Sequence, residues 1–216
     1  MKWSEEAWKA SEDIYEKILQ HPFVRGLADG TLPAEKFRFY IEQDALYLRQ
    51  YFRVLSHIAS RLDDISEAET FIKFASDGVA VEKALHGSFL KDDRQDEAFA
   101  SPSCSLYTST LLSQCLEPVE VEAAAVLPCF WIYQRVGEWI YASVGECMEN
   151  PYSSWIQTYA DKTFMESTER AIEICDRLAE NASVEVRERM TKIFRYCARM
   201  EWLFWDSAWN LEAWKV

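Results

Sequence analysis

The chain has 216 residues, of which 49% are hydrophobic and 14% aromatic. That composition supplies a substantial core, argues against disorder, and fits one domain spanning residues 1–216. Six Gly and six Pro leave little material for the tight turns of an all-β fold. A formal net charge of −13 repels phosphate backbones and anionic lipid headgroups and favours cationic small molecules. The arginines are scattered, with no basic run, so nucleic acid is excluded as an expected partner.

The N-terminal residues lack the basic-then-apolar layout of a secretory signal. The longest apolar stretch, Ala123 to Tyr133, is about half a membrane span and contains Pro128. No membrane association is expected. The six cysteines form no CxxC pair, which points to reduced thiols in a cytoplasmic protein.

In chain order, Ser4 with Glu5 and Glu6 behind it predicts a helix start, and that helix runs to Gln20. It stops before Pro22, because the residue preceding a proline avoids the helical region. Asp29 to Pro33 is a turn opening a second helix that reaches Leu62, with Pro33 suited to the first helical position. A third begins at the capping box Ser66-x-x-Glu69 and runs to Phe89. Lys91 to Glu97 is a loop, and Ser101-Pro102-Ser103 starts a fourth helix ending near Leu116.

Pro118 opens a fifth, with Pro128 in its interior, and Asn150-Pro151 breaks it. A sixth helical region spans Tyr152 to Glu180 with a bend near Tyr159, and Ser183 caps a last helix running nearly to Trp214. No segment alternates with period two. Long helices joined by short connections predict an all-α bundle.

Polar residues placed on apolar stripes carry the functional information. Phe37, Tyr40, Asp44, Tyr47 and Tyr51 are spaced three, four, three and four apart, so Asp44 is a carboxylate within an aromatic face. Phe194, Cys197, Glu201, Phe204 and Ala208 repeat that rhythm on the last helix, with Glu201 in the middle. A buried carboxylate must find a partner or take up a proton. Pairing with an Arg or a Tyr hydroxyl inside the bundle is the structural alternative to catalysis. Pro128 costs its helix roughly 3 kcal/mol and predicts a kink beside Cys129, with Tyr133 one turn further on the same face. Packing at the kink is the alternative for that cysteine.

Beyond these stripes, the chain resembles the TenA (thiaminase II) family, in its cysteine-containing branch. The resemblance rests on His21-Pro22-Phe23-Val24, Asp29-Gly30-Thr31-Leu32-Pro33, Tyr40-x-x-Gln43-Asp44-x-x-Tyr47-Leu48 and Ala84-Leu85-His86. It continues through Tyr107-Thr108-Ser109, Leu127-Pro128-Cys129-x-Trp131-x-Tyr133, Val136-Gly137-Glu138, Trp155-Ile156-x-x-Tyr159 and Glu201-Trp202-x-Phe204-Trp205. It implies a haem-oxygenase-like helical bundle assembled as a homotetramer. The implied reaction is hydrolysis of 4-amino-5-aminomethyl-2-methylpyrimidine to the hydroxymethyl pyrimidine and ammonia, with thiamin as a further substrate.

By the same resemblance Cys129 is the nucleophile, Glu201 the acid/base, and Asp44 the carboxylate on the pyrimidine's nitrogen edge. Tyr107, Tyr133 and Tyr159 are pocket tyrosines, and Tyr47 an aromatic lining position. No metal and no organic cofactor are implied. Leu111 and Leu112 depart from the more polar or aromatic residues of many relatives and bear on the pocket rim.

The chemistry is coherent: sulfur adds to the ring carbon beside the one bearing the methylene, and the electron-rich ring then expels the amine. Glu201 cannot lower the thiol pKa as a cation would, and acts instead as a proton shuttle.

The histidines fall off these stripes. Haem oxygenases use a histidine near the first helix as an iron ligand, but His21 precedes Pro22 at a helix end, where capping is expected. Glu82 and His86 are four apart, whereas bundle di-iron sites place Glu and His three apart, so an ordinary helical pair is expected. A non-catalytic regulatory or ligand-binding protein is the competing functional class. Nine tryptophans, four of them between Trp202 and Trp214, exceed the needs of one stripe and fit subunit contacts.

Overall fold

Ten α-helices and no strand occur among the described residues of the computed structural model. It describes the backbone of residues 1–89, 99–144 and 149–216, and side chains over all of these except 80–89. The expected loop from Lys91 to Glu97, the end of the fifth predicted helix and Cys147 lie outside the described residues, as do the side chains of the Glu82–His86 pair. No helix among those described is long and apolar enough to cross a membrane.

The helices are α1 (Trp3–Lys9), α2 (Glu12–Gln20), α3 (Pro22–Asp29), α4 (Ala34–Arg61), α5 (Ile65–Phe89), α6 (Pro102–Ser113), α7 (Val119–Val144), α8 (Ser153–Ala160), α9 (Lys162–Asn181) and α10 (Val184–Asn210). At the centre lies α7, packed against α4, α8, α9 and α10. Apolar over most of its first five turns, it buries Val121, the run Ala123 to Pro128, Ile132, Val136 and Ile140, and it reaches solvent only at positions such as Arg135 and its last turn. Pro128 leaves its turn one backbone hydrogen bond short. In that turn the Tyr51 hydroxyl, reaching over from α4, donates to the Val126 carbonyl at 2.9 Å.

Several predicted boundaries shift, each for a local reason. The first helix is two, α1 and α2, broken at Ala10 and Ser11. Ser4 does not cap α1. Its N–H and hydroxyl both donate to the Asp176 carboxylate of α9, at 2.8 Å each, so the cap comes from another helix. Helix α3 occupies a stretch the sequence reading left unassigned: Pro22 fills its first position and His21 caps it, Nδ1 accepting from the Phe23 N–H at 3.2 Å. That bond is the capping role expected of His21.

Asp64 rather than Ser66 caps α5, accepting from the Glu67 N–H at 3.1 Å. The bend near Tyr159 is a break at Asp161, whose carboxylate caps α9 through the Thr163 N–H at 2.7 Å. Ser101 and Ser183 cap α6 and α10 as predicted. Helix α10 ends at Asn210, four residues before Trp214, and its C-cap Leu211 lies in the left-handed region at φ 49°.

The surplus tryptophans have partners within the chain. Trp202 packs edge-on against His21, Lys36 sits over Trp209, and Trp214 donates to the Ala100 carbonyl at 2.8 Å. Glu122, fully buried at the start of α7, is matched by Arg61 at 2.6 Å and His57 at 2.7 Å, both from the end of α4. This clamp is what a structural buried carboxylate looks like in this fold, with a guanidinium to hold its charge.

Candidate active site

Both polar-in-apolar stripes are buried as predicted: Phe37, Tyr40, Asp44, Tyr47 and Tyr51 on α4, and Phe194, Cys197, Glu201, Phe204 and Ala208 on α10. Between α4, α5, α7, α8 and the start of α9 lies a cavity of about 390 Å³. Asp44 and Tyr51 from α4, Cys129 and Tyr133 from α7, and Tyr159 from α8 border it. Cys129 is half-buried because part of its surface faces this space.

A larger, solvent-open depression of about 920 Å³ runs between the N-terminus, α9 and α10. Its charged borders, such as Lys2, Glu6, Arg187 and Glu188, surround no cysteine, histidine or tyrosine, so the reactive groups belong to the smaller cavity.

Not every predicted site residue borders that cavity. Tyr47, Tyr107 and Glu201 form a buried layer outside its lining, and Leu111 and Leu112 are absent from the rim. Tyr107 donates to Glu201 Oε1 at 2.6 Å. The Tyr47 ring packs on Tyr107, Tyr51 and Phe204, at centroid distances of 4.8, 5.4 and 5.7 Å. Its hydroxyl is buried with no hydrogen-bond partner. An unsatisfied buried hydroxyl costs about 1–3 kcal/mol, so a donor left in this state beside a nucleophile is informative.

Electrostatics tie the two layers together. Burial pushes the Cys129 thiol well above its ordinary range, and the Glu201 and Asp44 carboxyls push the same way when ionised, while the nearby Tyr47 and Tyr51 hydroxyls favour the thiolate. Glu201 is pushed up to about 8, chiefly by burial and also by Asp44, against the opposing hydrogen bond from Tyr107. Glu122 has an arginine, whereas the partner of Glu201 is a neutral hydroxyl. At neutral pH Glu201 therefore carries a proton. The cysteine, the two acids and the tyrosines form one interacting group, as the stripes implied, but in two layers rather than around one opening.

Reading the sequence missed several neighbours. Tyr40 donates to the Tyr133 hydroxyl at 3.4 Å and accepts from Trp155 Nε1 at 3.2 Å, holding the tyrosine face of the cavity. Phe130 and Phe164 extend the ring chain that Tyr133 and Tyr159 begin. Tyr40 and Tyr51 stand on the Asp44 stripe that the sequence shows, but had no role assigned there.

Gly137 has a specific task. A Cβ there would stand 2.6 Å from the Tyr159 carbonyl carbon and 2.7 Å from its oxygen, so only glycine lets α8 approach α7 and seat Tyr159 against Tyr133. We expect Gly137→Ala to cost about 1–3 kcal/mol, as overpacking does. The substitution should also raise KM for a pyrimidine through displacement of Tyr159. A melting curve beside steady-state kinetics checks both, and an unchanged melting temperature would contradict the close approach.

The description TENA/THI-4/PQQC family belongs to the family model that matches residues 8–211. The chain belongs to that family. A relative from Bacillus subtilis, named aminopyrimidine aminohydrolase, is 35% identical over 99% of this chain and 92% of its own. The solved TenA homologue from P. horikoshii superposes with a TM-score of 0.86 at 28% identity, over 97% of this chain and 99% of that one. A Shewanella denitrificans domain with a heme oxygenase-like fold superposes with a TM-score of 0.75 at 13% identity, over 98% of this chain and 93% of that one. That last likeness speaks to the fold alone: this TenA-family chain has the haem-oxygenase-like bundle.

Proposed function

We propose that this chain is an aminopyrimidine aminohydrolase of thiamin salvage, converting 4-amino-5-aminomethyl-2-methylpyrimidine and water to the hydroxymethyl pyrimidine and ammonia. Cys129 is the nucleophile, Glu201 the acid/base, and Asp44 the group that holds the ring's nitrogen edge. Tyr133 and Tyr159 stack and orient the base from the cavity wall, while Tyr107 and Tyr47 act from behind it on Glu201 and the sulfur. Thiamin is a further substrate of the same chemistry.

The observation that carries this reading is the raised Glu201 carboxyl, coupled to a cysteine that opens onto a ring-sized cavity. A module that only binds has no need of a buried acid poised near neutral pH. In the proposed sequence the thiol sulfur bonds to the ring carbon next to the substituted one, and its proton passes by way of Glu201 to a ring nitrogen. The dearomatised ring pushes out the amine, which leaves protonated. Water then adds to the exocyclic methylene and gives up a proton, and rearomatisation breaks the carbon–sulfur bond.

We take residues 1–216 as one catalytic domain, working as a homotetramer in the cytosol. Exposed Leu112 and Leu116, at 41% and 90%, are apolar surface that such an assembly would cover.

Incubating purified protein with the aminomethyl pyrimidine tests the reading, with ammonia and the hydroxymethyl product measured together. Equimolar release of the two is expected. Binding of the pyrimidine with no ammonia would overturn the enzyme and favour a ligand-binding regulator.

A further inference from the structure

The inner end of the cavity is walled by buried Asp44, Tyr51 and Tyr133; its outer end meets solvent at exposed Asp77, Asp161 and Thr163. Phe52 and Gly78 face one another across the boundary between α4 and α5, and both border the cavity. A Cβ on Gly78 would stand 2.2 Å from Phe52 Cε1 and 2.8 Å from Cζ, so the edge of the ring points straight onto the glycine backbone. Glycine is among the poorest residues for a helix interior, yet it sits here midway along the 25 residues of α5. The helix tolerates that loss where an aromatic ring needs the space.

We propose that Phe52, seated on Gly78, sets the width of the cavity's outer end and so determines how large a group on the pyrimidine methylene the enzyme accepts. This rests on the functional reading above and deepens it. With the pyrimidine at Asp44 and Cys129, the group on its methylene extends toward the outer end. Ammonia needs almost none of that space. The thiazolium ring of thiamin needs a flat compartment, and the carboxylates of Asp77 and Asp161 suit its positive charge. Any side chain at position 78 drives the Phe52 ring off the α5 backbone and into this compartment.

The test is calorimetric binding in a Cys129→Ser background, where ligands are held without turnover, using the hydroxymethyl pyrimidine and thiamin as probes. Adding Gly78→Ala is expected to weaken thiamin by about tenfold or more while the bare pyrimidine changes by less than about threefold, the scale on which one misplaced methyl discriminates. Adding Phe52→Ala to that variant should return the thiamin affinity to within about threefold of the parent. Parallel losses for both ligands, no loss for either, or failure of Phe52→Ala to rescue would overturn the proposal. So would a parent that binds the pyrimidine and ignores thiamin. A parent that binds neither, together with no ammonia release by the cysteine-containing protein, removes the functional reading itself, and the two failures are thereby told apart.

Discussion

Cys129→Ser is expected to lower ammonia release by at least about a thousandfold while calorimetry still detects the hydroxymethyl pyrimidine, the pattern of a lost covalent step with binding retained. The retained binding follows from geometry: Asp44, Tyr133 and Tyr159 border the cavity and none of them depends on the sulfur. The loss follows from the way the sulfur is held. Burial above all keeps the thiol protonated in the resting protein, with the Asp44 carboxyl pushing the same way. Sulfur can still ionise transiently, because the Tyr47 and Tyr51 hydroxyls favour the thiolate and the Tyr47 hydroxyl is otherwise unpartnered. A serine hydroxyl in that place is a far weaker nucleophile and has no cation to help it. Activity within tenfold of the unaltered protein would rule out the nucleophile assignment.

How far the sequence foretold this site can be judged residue by residue. The stripe Phe37, Tyr40, Asp44, Tyr47, Tyr51 was legible because helix periodicity is a local property, and Asp44 stood out only against apolar neighbours. Pro128 beside Cys129 was legible for the same reason. What periodicity does not carry is the depth at which each side chain meets its neighbours. Tyr107 and Glu201 are 94 residues apart, and only the packing of α6 on α10 makes them a hydrogen-bonded pair behind the cavity rather than on its wall.

The helix starts failed in an equally physical way. Ser4 has the chemistry of a cap, but Asp176 from α9 reaches it first in space. The break at Ala10 and Ser11 carries neither glycine nor proline, and its one local mark, Ser11 followed by Glu12 and Asp13, reads equally well as the polar face of a continuing helix. Gly78 and Gly137 are legible as glycines. Their reasons, Phe52 and the Tyr159 backbone, lie on other helices and appear only in three dimensions.

Glu201→Gln should cut turnover by about 10²- to 10⁴-fold, the range typical of a positioned proton-transfer group. It should also change how stability depends on pH, in a direction fixed by the raised carboxyl. The ordinary value for the group is 4.5, and in the folded protein it is pushed up to about 8. Between those two values the folded state holds a proton that the unfolded state has released, so unfolding sheds protons and stability falls as pH rises across the window. Below 4.5 both states are protonated and this contribution is complete; above about 8 it is gone.

The shift is large enough for the contribution to amount to a few kcal/mol, so the melting temperature should decline measurably from pH 5 to pH 8. Glutamine keeps the shape, still accepts from Tyr107, and cannot ionise. Its melting temperature should decline less over that interval and exceed that of the unaltered protein at pH 8. Melting curves of both proteins at pH 5, 6.5 and 8 decide the matter. Parallel curves would mean that Glu201 is ionised in the resting fold, and the acid that completes the proton path would then have to be sought elsewhere.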